Sequence, residues 1–263
     1  MDPVALYPAA SAQLVMSKRM EAISNNIANV STTGFKKNFP VFGAVIAKMA
    51  KANSMGGAED GTGGVSVLPM PTFAVLDELV TNFSSGTIRV TGEPLDIAID
   101  GKGFFQIQTA GGVRYSRNGA FTISSEGKIV TKDGFPLLGI GGPMELPQGL
   151  VYIDETGKVS VQTAAGGPAT EVDTIALVDI PKTHKLQKVG DSMFALLDGE
   201  ATVFEEGKAH LKQGALETSN VNPAEEMIAL IITIRHYEEA QRAIQTVDDV
   251  TTRNVSRVGQ LQA

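Results

Sequence analysis

The closing stretch NPAEEMIALIITIRHYEEAQRAIQTVDDVTTRNVSRVGQL, residues 222–261, decides how the rest of the chain reads. Asn222 is a capping residue, Pro223 suits the first helical position, and Glu225 three residues after the cap completes a capping box. Glu225 and Glu226 also meet the positive end of the helix dipole. A seam then runs through Leu230, Thr233, Tyr237, Ala240, Ile244, Val247, Thr251, Asn254, Val258 and Leu261 at alternating steps of three and four. That spacing predicts one long amphipathic helix.

The other end repeats the pattern. Leu6, Ala9, Gln13, Met16, Met20, Ile23, Ile27 and Val30 form a heptad seam within residues 4–33, marred by Gln13. Pro8 sets the regular helix to begin near Ala9, and Gly34 stands where a left-handed residue would close it. At about 1.5 Å per residue each helix would run about 45–60 Å.

Between the ends the style changes. Residues 36–52 are apolar and basic, and NSMGGAEDGTGGVSVLPMP (53–71) reads as an extended connector. From Gly86 to about Gly214, short runs such as Leu95–Ile99, Phe104–Thr109, Phe121–Ser124, Lys128–Thr131, Val151–Ile153, Val159–Gln162, Thr174–Asp179 and Phe194–Leu197 alternate with turn signals. Those signals include Asp100-Gly101, Asn118-Gly119, Asp133-Gly134 and Asp198-Gly199, which favour the tight turns of antiparallel strands.

The expected fold class is therefore α+β: long N- and C-terminal helices forming a coiled-coil stalk, with a central, mainly antiparallel β domain. The expected divisions are residues 1–35, the N-terminal helix of an inner coiled-coil domain; 36–85, the connector; 86–215, the β-rich domain; and 216–263, the C-terminal helix. A long apolar stripe is often only the core face of a bundle. Here the β region can form its own core, so the stripes are left to pair with each other or with other subunits.

Composition narrows the function. Cysteine is absent, which excludes disulfides, thiolate metal sites and a Cys nucleophile. No run approaches about 20 apolar residues, so no membrane span is expected. The N-terminus has no basic residues before its first apolar ones and makes a poor secretory signal. The net charge of −7 is uneven: Lys18, Arg19, Lys36, Lys37, Lys48 and Lys51 against Asp2 and Glu21 give residues 1–51 a net of +4 and leave −11 beyond. A basic head and an acidic tail attract each other, within a chain or between chains. Basic residues this sparse, without interleaved aromatics, do not point to nucleic acid.

The search for chemistry ends without a site. Gly-Lys occurs at 101–102, 127–128, 157–158 and 207–208, but Asp96, Thr122, Tyr152 and Thr202 stand where a phosphate loop needs its first glycine. Asp96–Gly101 fails as a calcium loop, because Ala98 occupies a ligand position. His184, His210 and His236 are dispersed and not spaced as metal ligands. No enzyme, metal or cofactor is expected.

Ser24-Asn25-Asn26-Ile27-Ala28-Asn29-Val30-Ser31-Thr32-Thr33-Gly34-Phe35-Lys36 closely resembles the N-terminal signature of the bacterial flagellar axial proteins. Glu217-Thr218-Ser219-Asn220-Val221-Asn222-Pro223-Ala224-Glu225-Glu226-Met227-Ile228 resembles their C-terminal signature. Pro94–Ile107 and Tyr115-Ser116-Arg117-Asn118-Gly119-Ala120-Phe121 resemble the central domain of the rod and hook branch. Within that branch, Val130–Gly139 followed by Gly142-Pro143 looks most like the proximal-rod proteins, with the distal-rod proteins second.

The resemblance implies a structural subunit of the basal-body rod, assembling through its terminal helices into the shaft that transmits torque and carries the export channel. It implies copies of itself and other rod subunits as partners. It also implies the flagellar type III export apparatus as the route, without a cleaved signal peptide, to a periplasmic rod. The expected assembly residues are Met16, Met20, Ile23, Asn25, Asn26, Ile27, Asn29, Val30, Gly34 and Phe35 at one end. At the other they are Asn220, Asn222, Leu230, Ile234, Tyr237, Ile244, Val247 and Val258. Asn25, Asn26 and Asn29 would fix helix register by hydrogen bonding, and Phe35 would anchor the connector. The alternatives are a distal-rod or hook-type subunit, or a secreted β-rich binding module that its helices dimerise.

Overall fold

The computed structural model of the chain describes residues 6–46, 72–163, 167–180, 185–197, 201–203 and 210–260. Contacts divide the chain into two units: Met1–Asn25, Asn38–Val80 and Ala224–Ala263 in one, Asn26–Lys37 and Thr81–Pro223 in the other.

Helices α1 (Leu6–Ala28) and α2 (Pro223–Gln260) supply most of the first unit, together with strands β1 (Asn38–Ile46) and β2 (Thr72–Thr81), which pair with each other. Helix α2 begins at Pro223, where a missing N–H leaves no helical bond unmade. Pro8 is tolerated inside the first turn of α1 for the same reason, so that helix starts at Leu6 rather than Ala9. The covered side of α2 carries Leu230, Thr233, Tyr237, Ala240, Ile244 and Val247, with Thr233 fully buried. Gln13 of α1 donates its Nε2 to the Tyr237 hydroxyl at 2.9 Å.

The second unit is a β body. Its strands are β3 (Ile88–Val90), β4 (Ile97–Asp100), β5 (Phe104–Thr109), β6 (Gly112–Ser116), β7 (Phe121–Ile123), β8 (Ile129–Thr131), β9 (Leu138–Gly139) and β10 (Gly142–Pro143). They continue as β11 (Leu150–Ile153), β12 (Lys158–Gln162), β13 (Thr170–Thr174), β14 (Leu177–Asp179), β15 (Leu186–Gly190), β16 (Met193–Leu196), β17 (Thr202–Val203), β18 (His210–Gln213) and β19 (Ala215–Glu217). The largest sheet runs β15-β16-β6-β5-β14-β17, and a smaller one runs β11-β12-β13. Both sheets are antiparallel throughout.

Both faces of the six-stranded sheet are covered, which is why its strands read as apolar runs. Phe105 and Ile107 of β5, Leu177 of β14 and Met193 of β16 enter one core with Ile97, Ile129, Leu137, Val159 and Val161. Their strand neighbours Phe104, Val178 and Phe194 enter a second core with Ile180 and Leu186. Phe83 meets Phe194 edge-on, with ring centroids 5.1 Å apart. Gly119 shows how tightly the first core closes, since a Cβ there would fall on the Ile97 carbonyl oxygen. At the end of the body β18 returns beside β4 and β19 beside β3, so the chain leaves this unit next to the strands by which it entered.

The expected coiled-coil stalk is corrected by this arrangement. Among the described residues there is one N-terminal helix of 23 residues and one C-terminal helix of 38, with a mostly β body. The α+β content agrees; the pair of long matched helices does not. Helix α1 stops at Ala28 because the polar residues that follow compete for its backbone. The Asn29 amide bonds the Asn26 carbonyl and the Thr32 amide bonds the Asn29 carbonyl, both at 3.1 Å, and the Thr32 hydroxyl donates to Asn29 Oδ1 at 3.2 Å. Gln13 and Thr233 interrupt the apolar seams, and α2 carries a second apolar stripe away from its covered side. Of the predicted connector, residues 47–71 lie outside the described residues.

Phe105 is fully buried between the strands of the first core. Phe105→Ala is expected to cost about 3–5 kcal/mol, read as a lower urea midpoint of the β body.

Candidate functional site

The segment that follows α1 and the segment that precedes α2 meet within the β body, and they meet around one carboxylate. Glu217 ends β19 with its side chain 1% exposed, and Lys36 is equally buried. Glu217 Oε1 accepts from Lys36 Nζ and from the Gly86 amide, each at 2.7 Å. Its Oε2 accepts from Arg117 Nη1 at 3.3 Å. A carboxylate withdrawn from water needs donors of this kind at each oxygen.

The cations are also held by the backbone. Lys36 Nζ donates to the Ser84 carbonyl at 2.8 Å, and Arg117 Nη2 to the Gly101 carbonyl at 2.7 Å. The Arg117 guanidinium lies over the Phe104 ring, 5.3 Å from its centroid, while its buried Nε has no partner. Burial pulls the Lys36 ammonium below its ordinary range, and Glu217 pulls in the opposite direction. Arg117 is lowered by burial in the same way, again against Glu217.

The backbone closes the ring. The Gly34 amide donates to the Glu217 carbonyl at 2.8 Å. Gly34 has φ +65°, and a Cβ there would stand 2.4 Å from the Asn118 nitrogen, so both its conformation and its neighbour require glycine. Asn220 joins three segments: its Nδ2 donates to the carbonyls of Asn82 (2.9 Å) and Ser84 (3.1 Å), and its Oδ1 accepts from the Lys37 amide at 2.8 Å. Phe35 is buried, and Lys188 of β15 caps its ring with Nζ 3.5 Å from the centroid. Lys188 Nζ also donates to the Lys36 carbonyl at 3.2 Å. We call this ring of contacts the collar.

The predicted assembly residues divide. Gly34, Phe35 and Asn220 join the collar. Asn26 and Ile23 are buried, Met16, Met20, Ile27, Asn29 and Val30 are half-buried, and Asn25 and Asn222 are exposed. On α2, Leu230, Tyr237, Ile244 and Val247 lie on the covered side, whereas Ile234 is exposed. Val258 lies in α2, with its side chain outside the described residues. Sequence reasoning missed the collar's charges. Lys36, Arg117 and Glu217 all stand inside motifs singled out above, but a charged residue beside a turn reads as solvated. Lys188 carried no signal.

Two outcomes test the electrostatics. Glu217→Gln leaves two buried cations without their counter-ion and is expected to cost about 3–5 kcal/mol, seen as a lower urea midpoint; an unchanged midpoint would contradict the ring. Burial lowers Lys188 to about 8, so its charged form burdens the fold. Below that pH the residue is protonated folded and unfolded, and the burden is full. Between about 8 and 10.4 the unfolded chain binds more protons, so stability rises with pH. The melting temperature of the wild type should therefore gain on that of Lys188→Met across this window.

Three family descriptions match the chain: "Flagella basal body rod protein" at residues 6–36, "Flagellar hook protein FlgE/F/G D1 domain" at 98–161, and "Flagellar basal body rod FlgEFG protein C-terminal" at 212–256. The chain is 33% identical over 260 residues to the flagellar basal-body rod protein FlgF of Caulobacter vibrioides, covering 98% of each. It is 31% identical over 254 residues to the flagellar basal-body rod protein FlgG of Bacillus subtilis, covering 93% of this chain and 95% of that one. The first and last family matches carry the two segments that meet in the collar.

Proposed function

The chain belongs to the flagellar basal-body rod protein family, and from that premise we propose that it is a structural rod subunit whose helix α2 offers an apolar face to its neighbours. The observation that carries this reading is the second stripe of α2. Met227, Ile228, Ile231, Ile232 and Ile234 are 54%, 59%, 53%, 46% and 39% exposed. At 3.6 residues per turn they spread over roughly 160° of the helix surface, opposite the stripe of Leu230, Thr233, Tyr237 and Ala240. Large apolar side chains gathered in this way mark an interaction surface.

A structural subunit needs no catalytic group, and its activity is to hold position among other rod subunits in the basal body. The covered side of α2 serves the subunit itself, and the exposed side is left for others. Contacts between unlike patches of identical chains build open helical assemblies wherever the rotation between copies does not close a ring. The predicted assembly residues Met16, Met20, Ile23, Asn25, Asn26 and Ile27 on α1, and Asn29 and Val30 just after it, belong to the same proposal. So do a periplasmic site for the rod and delivery by the flagellar export apparatus.

Ile231→Asp places a charge on the exposed face without touching a buried group. Incorporation into basal bodies and swimming are expected to be lost, while the β body melts as in the wild type. Normal motility of this variant would overturn the reading.

A further inference from the structure

The collar holds three cations, Lys36, Arg117 and Lys188, and one carboxylate, Glu217, which meets the first two. Lys188 is different: it is half-buried, it touches the Phe35 ring and the Lys36 carbonyl, and among the described residues no carboxylate pairs with it. The other charged groups around it are committed or silent. Lys36 and Arg117 are both paired with Glu217, Asp191 in the turn of the same hairpin forms no ion pair among the described residues, and burial raises the Tyr115 hydroxyl of β6.

The placement of Lys188 is built into the hairpin. Lys188 faces Phe194 across the β15–β16 ladder, and the register shifts between Lys188 and Gly190. Bulges of this kind re-aim a side chain. The turn that follows holds Asp191 and Ser192 at φ 48° and 55°, a left-handed conformation that non-glycine residues enter at a cost. Ser192 is buried and fixed by the Ser116 hydroxyl, which donates to its carbonyl at 3.0 Å. Strand β15 is also the outermost strand of its sheet.

We propose that Lys188 receives a carboxylate of a second copy of this chain, forming an ion pair that is completed only on assembly. The inference rests on the assembly reading above. The second copy is the occupant because the chain carries 29 acidic side chains against 22 lysines and arginines, and residues past 51 are strongly acidic. On the β body itself Glu93, Glu155 and Glu171 are exposed and form no ion pair among the described residues. A lysine on one patch and an acid on another suit an open, head-to-tail contact.

An ion pair that must hold this proton links assembly to pH. Self-association of the full-length chain, followed by sedimentation from pH 7 to 10, should be flat to about pH 8 and then weaken toward about tenfold per pH unit. Lys188→Arg keeps its charge and should stay flat. Lys188→Met should associate about tenfold more weakly at pH 7 and show no further fall, with thermal unfolding confirming that it folds. Carbodiimide coupling of mixed light- and heavy-isotope copies should link Lys188 to an acidic peptide of the other isotope. Wild-type and Lys188→Arg profiles that superimpose, or a Lys188 link confined to one copy, would overturn the contact. Absence of self-association in every variant, with the β body folded, would overturn the assembly reading itself.

Discussion

A carboxylate taken out of water has to be answered by donors at both oxygens, and the answer given to Glu217 organises this chain. Lys36, Arg117 and the Gly86 amide come from three separate stretches of sequence, and each is drawn to one side chain. Because Lys36 follows α1 and Glu217 precedes α2, the demand for compensation brings together the chain's way in and way out of the β body. The Gly34 amide and Asn220 then complete the ring with backbone bonds. A well-packed apolar set of similar volume is often as stable as a buried ion pair, but breaking such a pair by removing one partner is costly.

The β body frees the helices from supplying the core. Phe104 and Phe105, adjacent on β5, fill cores on opposite faces of one sheet, and that sheet closes without help from either terminal helix. Helix α2 can then divide its surface. One side holds Thr233 and Tyr237 in cover, and the other keeps Met227, Ile228, Ile231, Ile232 and Ile234 in the open. On the reading proposed above, apolar surface withheld from the subunit's own core is left for a neighbouring rod subunit.

Much of this was legible from periodicity and turn chemistry. The run Phe104–Thr109 is a strand with the bounds its alternation indicates, and Asn222-Pro223 marks the start of α2. Gly101 and Gly134 adopt positive φ as their Asp-Gly dipeptides imply, whereas Gly119 does not, its place being fixed by close packing against the Ile97 carbonyl. The coiled-coil stalk failed because a three-four repeat locates one stripe and is blind to a second. Leu230 and Ile231 are neighbours in sequence, yet one is half-covered and the other exposed. The end of α1 was placed too late because Asn29 and Thr32 form turns that a seam of apolar residues does not reveal.

The collar lay in plain view as letters and was invisible as a site. Arg117 and Glu217 stand 100 residues apart and Lys36 and Glu217 181, and nothing local tells a buried charge from a solvated one. Local rules of propensity, period and turn conformation act over a few residues, so the chain alone dictates its strands, its helices and its family. Pairing across long separations depends on which desolvated groups find partners once the core has closed. That choice, which made a ring of Lys36, Arg117 and Glu217 and left Lys188 with a ring face and a carbonyl, belongs to the folded molecule.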